Sequence, residues 1–241
     1  MSRNALRVIG FAYKTQDSSA PEDDLIFTGL LGLRDPPKKD AKKAVHDCIT
    51  AGINVKMITG DHEKTACAIA KELGILTDGR TITGRELEKL TKDEYLKIAD
   101  KIQVYARVKP SQKMRIVESL KEKNNVVAMT GDGVNDAPAL KKASIGVAMG
   151  DGTDVAKEAS DIVILDDNIN SISMAILFGR TIFKNIRKFI IFQLTVNICA
   201  LALSIFGPFI GISTPVTVMQ MLWINMIMDT LAGFAFAYEE P

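Results

Sequence analysis

Short apolar runs alternate with stretches of helical periodicity from the start of the chain to Asp167. The runs are Val8–Ala12, Leu25–Leu33, Asn54–Thr59, Gln103–Arg107, Val126–Thr130, Ile145–Ala148 and Asp161–Leu165. Between them, Lys39–Ala51, Glu63–Leu73, Gly84–Leu90, Ser111–Lys123 and Asp154–Ala159 place apolar residues at helical spacing. Strand followed by helix, repeated, predicts an α/β fold with a mostly parallel, Rossmann-type sheet covered by helices on both faces. "AGI" at Ala51–Ile53 and "LGI" at Leu73–Ile75 read as glycine helix stops. "DPPKKD" from Asp35 ends the second strand and opens a helix, where proline is tolerated.

The pattern changes after Asn168. Ile169–Lys188 predicts a long amphipathic stalk helix (171–188) that runs on into an uncharged apolar segment, since neither proline nor a glycine pair interrupts Ser173–Phe206. From Phe189 to Met228 there is no Asp, Glu, Lys or Arg. That length suffices for two membrane spans of roughly 20 residues each. The segment is apolar on all sides, which sets it apart from a buried hairpin of a soluble protein. The spans are expected at 189–207 and 216–238, joined by an uncharged exoplasmic loop at 208–215. "KNIRK" (Lys184–Lys188) precedes the first span, so the positive-inside rule assigns the large polar region to the cytoplasm of a multi-pass membrane protein in the lipid bilayer.

Charge is balanced, 30 basic residues against 29 acidic and a formal net of +1, so composition points to no nucleic-acid partner. The three cysteines form no CxxC and there are two histidines, which argues against a disulfide framework or a zinc site. No apolar secretory segment follows Met1.

In an open parallel sheet, ligands bind beyond the carboxyl ends of the strands. Two strands here end alike, "KMITGD" (Lys56–Asp61) and "AMTGDGVND" (Ala128–Asp136). Each brings a hydroxyl, a glycine and a carboxylate to that edge. Asp132 with Asp136 suits Mg²⁺, a hard cation held by one or two carboxylates plus phosphate. Thr59 and nearby backbone N–H groups suit phosphate oxygens. Lys113, in the first helical turn after Pro110, offers a point charge to a phosphate. Carboxylates, a hydroxyl and a lysine together describe a phosphoryl-transfer site. Taken singly, Asp61 and Asp132 also read as helix caps or turn residues.

"MITGD", "YARVKPSQKMRIV", "MTGDGVNDAPALKKASIGVAMG" and "GTDVAKEASDIVILDDN" together resemble the phosphorylation domain of P-type cation-transporting ATPases, a haloacid-dehalogenase-like fold. The resemblance covers nearly the whole chain. It implies that Thr59 and Lys113 hold the phosphate, with Gly60 and Asp61 completing that loop. It also implies that Asp132 ligates Mg²⁺, with Asn135 and Asp136 in support. "ALRVIGFAYK" resembles the end of the nucleotide-binding domain, which implies ATP contacts for Arg7 and, further on, for Arg107. On this reading 1–21 is the tail of the nucleotide-binding domain and 22–170 the phosphorylation domain.

The family's nucleophilic Asp sits in a "DKTGT" motif, and this sequence has none. The resemblance implies that the motif, the rest of the nucleotide-binding domain, the actuator domain and four spans lie upstream, in a missing part of the pump. The sheet is therefore expected to lack its nucleophile strand. Either a slot or direct pairing is expected between the strands that end at Thr59 and Thr130, and the chain alone is expected to be inactive.

Asp229 lies within the second span, where a carboxylate costs about 2.5–3.5 kcal/mol and calls for a functional reason. Asn225 precedes it by one turn and Asn197 lies at comparable depth in the first span. "FQLTVNICALAL" and "PVTVMQMLWINMIMDTLAGFAFAYEEP" resemble the fifth and sixth spans of plasma-membrane-type calcium pumps. That resemblance implies Ca²⁺ ligands at Asn225 and Asp229 beside Trp223, with Asn197 contributing indirectly. Reticulum-type pumps place further ligands where this chain has Ala200 and Met228, which implies one Ca²⁺ per cycle. Two alternatives remain: a P-type pump for another cation such as Na⁺, H⁺ or Mn²⁺, or a truncated chain that binds Mg²⁺ or a partner pump without turnover.

Overall fold

The computed structural model describes residues 7–15, 24–33, 36–212 and 216–239. The chain divides into two compact units, Met1–Ser173 and Met174–Pro241.

The first unit opens with β1 (Arg7–Tyr13) and β2 (Ile26–Leu33), an antiparallel pair whose register matches Arg7 with Leu33 and Tyr13 with Ile26. These strands do not join the parallel sheet expected from sequence. Apolar side chains on both, including Phe11, Phe27, Leu30 and Leu31, stay exposed.

The α/β part continues as α1 (Ala41–Thr50), β3 (Met57–Ile58), α2 (Glu63–Leu73), β4 (Arg80–Thr83), α3 (Gly84–Lys89), α4 (Lys92–Ile98), β5 (Ile102–Ala106) and α5 (Pro110–Glu122). It is completed by β6 (Ala128–Gly131), α6 (Ala137–Lys142), β7 (Ile145–Met149), α7 (Asp154–Glu158) and β8 (Ile162–Ile164). The strands form two parallel sheets of three, ordered β3-β5-β4 and β6-β7-β8, with the expected slot rather than direct pairing between the strands that end at Thr59 and Thr130. β3 pairs only with β5 and β6 only with β7, and among the described residues no strand lies between them. Ile58 and Val127 nevertheless each pack against two of the same apolar clusters, so side chains bridge where backbones do not.

Local chemistry explains the boundaries. Gly74 ends α2 at φ 79° and Gly52 follows α1 at φ 78°, a left-handed backbone that a Cβ disfavours. Thr83 and Thr91 start α3 and α4 with reciprocal capping boxes to Glu86 and Glu94. Pro37 lies outside α1, whose N-cap is Asp40, and so does not open that helix. The larger core packs Leu87, Tyr95, Ile102, Tyr105 and Ile116 together, each about 1.5–3 kcal/mol of burial for the aliphatic members. The hydroxyls of Tyr95 and Tyr105 meet at 2.9 Å, and burial raises both phenol pKa values.

α8 (Ile169–Phe206) is one uninterrupted helix, and a short 3₁₀ turn at Gly207–Ile210 ends it. α9 (Val218–Ala237) follows, capped by Thr217. Both helices are long and apolar enough to cross a membrane. Phe236 of α9 packs edge-on against Phe189 and Phe192 of α8, with centroids 6.4 and 6.2 Å away. Lys188 pairs with Glu239 at the charged end of this helical pair.

Candidate phosphoryl-transfer and cation sites

The β3 loop is held against the β5 loop by backbone bonds that extend their short pairing. Thr59 N–H donates to the Tyr105 carbonyl (2.9 Å), Val108 N–H to the Thr59 carbonyl (3.1 Å) and Arg107 N–H to the Asp61 carbonyl (3.0 Å). Thr59 Oγ1 accepts from Asp61 N–H and donates to Asp61 Oδ2, both at 3.1 Å, which closes "TGD" into a tight turn. His62, not Asp61, caps α2. Arg107 is exposed at φ 50° beside this turn. Arg7 begins β1, but its side chain lies outside the described residues.

Gln112 fixes the start of α5. Its Oε1 accepts from Lys109 N–H and its Nε2 donates to the Gly84 carbonyl, both at 2.8 Å, and the residue is buried. Sequence reading passed over this residue, although a Gln three positions after a helix start is a capping signature. The next residue, Lys113, pairs its Nζ with Asp136 Oδ1 at 2.5 Å, and both side chains are largely buried. Asp136 is the N-cap residue of α6 and is 7 % exposed. Gly131 makes that approach possible, since a Cβ there would lie 2.5 Å from the Asp136 Cβ.

Asp132 is exposed at the end of β6. Its carbonyl accepts from Thr153 N–H at 2.8 Å, which fixes the backbone and leaves the carboxylate outward. Asn135 is likewise exposed. No group of three His, Cys, Asp or Glu stands close enough to hold a metal among the described residues. Because Lys113 occupies one Asp136 oxygen, Asp132 is the carboxylate with free valence. One exposed carboxylate backed by a second fits Mg²⁺ that completes its shell with water and phosphate. The structure therefore joins Lys113 to Asp136, and Thr59 to Asp61 and Arg107.

In the helical pair, the half-buried stripe of α8 includes Asn185, Phe189, Gln193, Val196 and Asn197, and that of α9 includes Asn225, Met228, Ala232 and Phe236. Asn197 and Asn225 thus lie on the half-buried stripes, while Asp229 is exposed. Gln193, which the sequence alone does not single out, has its Oε1 buried without a partner.

Residues 6–144 match the haloacid dehalogenase-like hydrolases, and the chain belongs to that family. Over all of its length it is 47% identical to plasma membrane-type calcium-transporting ATPase 12 of Arabidopsis thaliana, covering 24% of that protein. It is 46% identical to calcium-transporting ATPase 1 of Bacillus cereus, across 99% of this chain and 28% of that one. The chain thus spans about a quarter of the length of the curated relatives it matches.

Proposed function

We infer that this chain is the phosphorylation-domain and paired-helix segment of a P-type Ca²⁺ transporter that couples ATP hydrolysis, through an aspartyl-phosphate, to ion export. One observation carries the reading: calcium-transporting ATPases align along the entire chain, from the phosphate-type loops to the helix bearing Asn225 and Asp229.

The residues divide the work by their chemistry. Thr59 and the N–H groups of its turn donate hydrogen bonds to phosphoryl oxygens, and Lys113 neutralises their charge as a point charge after leaving Asp136. Asp132 holds the Mg²⁺, which screens phosphate charge when bound, and Asp136 and Asn135 support it. Arg107, with Arg7, serves ATP. Gly60 and Asp61 keep the turn closed. Asn225 and Asp229 supply oxygens to Ca²⁺, and Asn197 orders the seam beside them. Ala200 and Met228 offer no further oxygen donors, in keeping with one Ca²⁺ per cycle.

The carboxylate to be phosphorylated comes from a "DKTGT" strand that this sequence does not contain. The unpaired edges of β3 and β6 are where that strand belongs, and the exposed apolar faces of β1 and β2 call for the remainder of a nucleotide-binding domain. Domain boundaries at 21/22 and 170/171 go with this reading, as does a cytoplasmic place for the polar unit. The uninterrupted α8 supports transmission of force from the phosphorylation domain to the spans.

The test is Ca²⁺-dependent ATP hydrolysis by the full-length protein in membranes, with the 241-residue chain alone giving no phosphoenzyme. Asp229→Asn is expected to weaken the Ca²⁺ dependence strongly. Activity that followed Na⁺ or Mn²⁺ instead would assign another cargo. Absence of ATPase activity would favour a non-catalytic chain.

A further inference from the structure

One short loop touches both the backbone of Asp132 and the segment that leads into α8. Residues 150–153 connect β7 to α7. At one end of the loop, Thr153 N–H donates to the Asp132 carbonyl at 2.8 Å. At the other, Gly150 N–H donates to the Ile164 carbonyl, also at 2.8 Å. Backbone lies against backbone at both contacts. A Cβ on Gly152 would stand 3.0 Å from the Asp132 carbonyl oxygen and 3.2 Å from its Cα. One on Gly150 would stand 2.8 Å from the Ile164 carbonyl oxygen. The loop is thus wedged between the ends of β6 and β8, with a glycine at each face.

Asp167 clamps that loop from the far side. Its Oδ1 accepts from Asp151 N–H at 3.0 Å, across 16 residues of sequence. The same N–H, helped by Lys38, holds the Asp167 carboxyl below its ordinary value of 3.8. Lys38 Nζ donates to the Asp167 carbonyl at 2.8 Å, and Asp167 N–H donates to the Ile164 carbonyl at 3.3 Å. The residue is therefore held at its N–H, its carbonyl and its carboxylate. Its φ is 50°, a left-handed backbone for which glycine is the default. Asp and Asn enter that region when their short polar side chain has a bond to make. Here the bond goes to the loop that holds Asp132.

We propose that Asp167 is a positioning residue for the Mg²⁺ carboxylate: by accepting from Asp151 N–H it fixes loop 150–153 and, through Thr153 N–H, the backbone of Asp132. The assignment rests on the reading of Asp132 as the Mg²⁺ ligand. The Asp132 carboxylate is exposed, so its aim depends on its backbone, and Thr153 holds that backbone. Partners behind a metal ligand orient it, and losing one costs about 10–100-fold in metal affinity.

The experiment compares Asp167→Gly, Asp167→Asn and Asp132→Asn in the full-length protein in membranes. Half-saturating Mg²⁺ is measured for phosphoenzyme formation from inorganic phosphate, and half-saturating Ca²⁺ for its formation from ATP. Amide hydrogen exchange at Asp151 and Thr153 is followed without Mg²⁺. Glycine relieves the backbone while removing the acceptor, so that variant should accumulate normally. Asp167→Gly is expected to raise half-saturating Mg²⁺ about tenfold, leave half-saturating Ca²⁺ unmoved and speed exchange at both amides. Asp167→Asn keeps an oxygen acceptor and tolerates the left-handed backbone, so all three readings should stay near the parent. Parental Mg²⁺ dependence or parental exchange in Asp167→Gly overturns the proposal. Equal losses in the Gly and Asn variants overturn it too, since the acceptor would not be the cause. A matching shift in Ca²⁺ does the same, as the mark of general damage. If Asp132→Asn leaves the Mg²⁺ dependence unchanged, the Mg²⁺-site reading itself fails, and the proposal with it.

Discussion

Lys113 Nζ meets Asp136 Oδ1 at 2.5 Å, joining the first turn of α5 to the N-terminus of α6 in a largely buried ion pair. The two residues stand on elements that follow different strands, β5 and β6, which belong to different sheets. The pair therefore ties the two sheets together at the edge where phosphate is proposed to bind. In the resting chain, Asp136 occupies the charge that phosphate would use.

Removing one partner leaves the other buried and uncompensated. Lys113→Met is expected to destabilise the chain by about 3–5 kcal/mol. The double variant Lys113→Met with Asp136→Leu should recover most of that loss, as thermal unfolding in detergent would register. Equal destabilisation by the single and double variants would show that the pair is not the source.

Gly131 is required by contact rather than by backbone angle. A Cβ there would lie 2.5 Å from the Asp136 Cβ and 2.9 Å from its Cγ. Gly131→Ala is expected to cost about 1–3 kcal/mol by overpacking and to displace Asp136 from Lys113. Gly52→Ala serves as a comparison, since it meets no atom within 4 Å and is strained only by its φ of +78°. Detergent-phase unfolding of the two variants should separate crowding from backbone strain.

Gln112→Ala strands the Gly84 carbonyl and Lys109 N–H, both satisfied through this side chain in the loop it clamps. A loss of about 1–3 kcal/mol is expected. Amide hydrogen exchange should localise it to Gly84 and the first turn of α5, next to Lys113. Exchange that rose uniformly across the unit would instead mark a general core defect.

The two capping boxes carry a pH signature. Hydrogen bonds from Thr83 N–H and hydroxyl hold Glu86 below its ordinary value of 4.5, and those of Thr91 do the same for Glu94. Folding favours the ionised form in both. The stabilisation is complete above 4.5 and disappears as pH falls through the lower folded values. Exchange at the starts of α3 and α4 should accelerate beyond its intrinsic pH trend in that acid range. Glutamine at both positions keeps the caps and should abolish the extra acceleration.

Much of the site was legible before the fold. "TGD", "PSQK" and "GDGVND" each specify local backbone through glycine, proline and capping residues, so Thr59, Lys113 and Asp132 fall where strand-end logic puts them. Other features were not legible. β4, "RTIT", is too short and mixed in polarity to signal a strand, and it exists because β5 offers it an edge. α4 and α6 are single short helices without a clear apolar period. β2 reads as a parallel-sheet strand from its apolar run, yet pairs with β1, because an apolar strand fits any open edge. Gln193 looked like one polar residue among many apolar ones until its burial showed it without a partner.

The sequence by itself determined the alternation of most strands and helices, the uncharged length of the helical pair and the chemistry available at each strand end. Those depend on periodicity, capping and composition, which act over a few residues. Tertiary structure alone decided that β3 and β6 leave a slot between them rather than pairing directly, that Lys113 is given to Asp136, and that Asn225 lies on a half-buried stripe while Asp229 is exposed. Each of these turns on which distant backbone or charge comes within hydrogen-bonding reach, and distance along the chain carries no record of that.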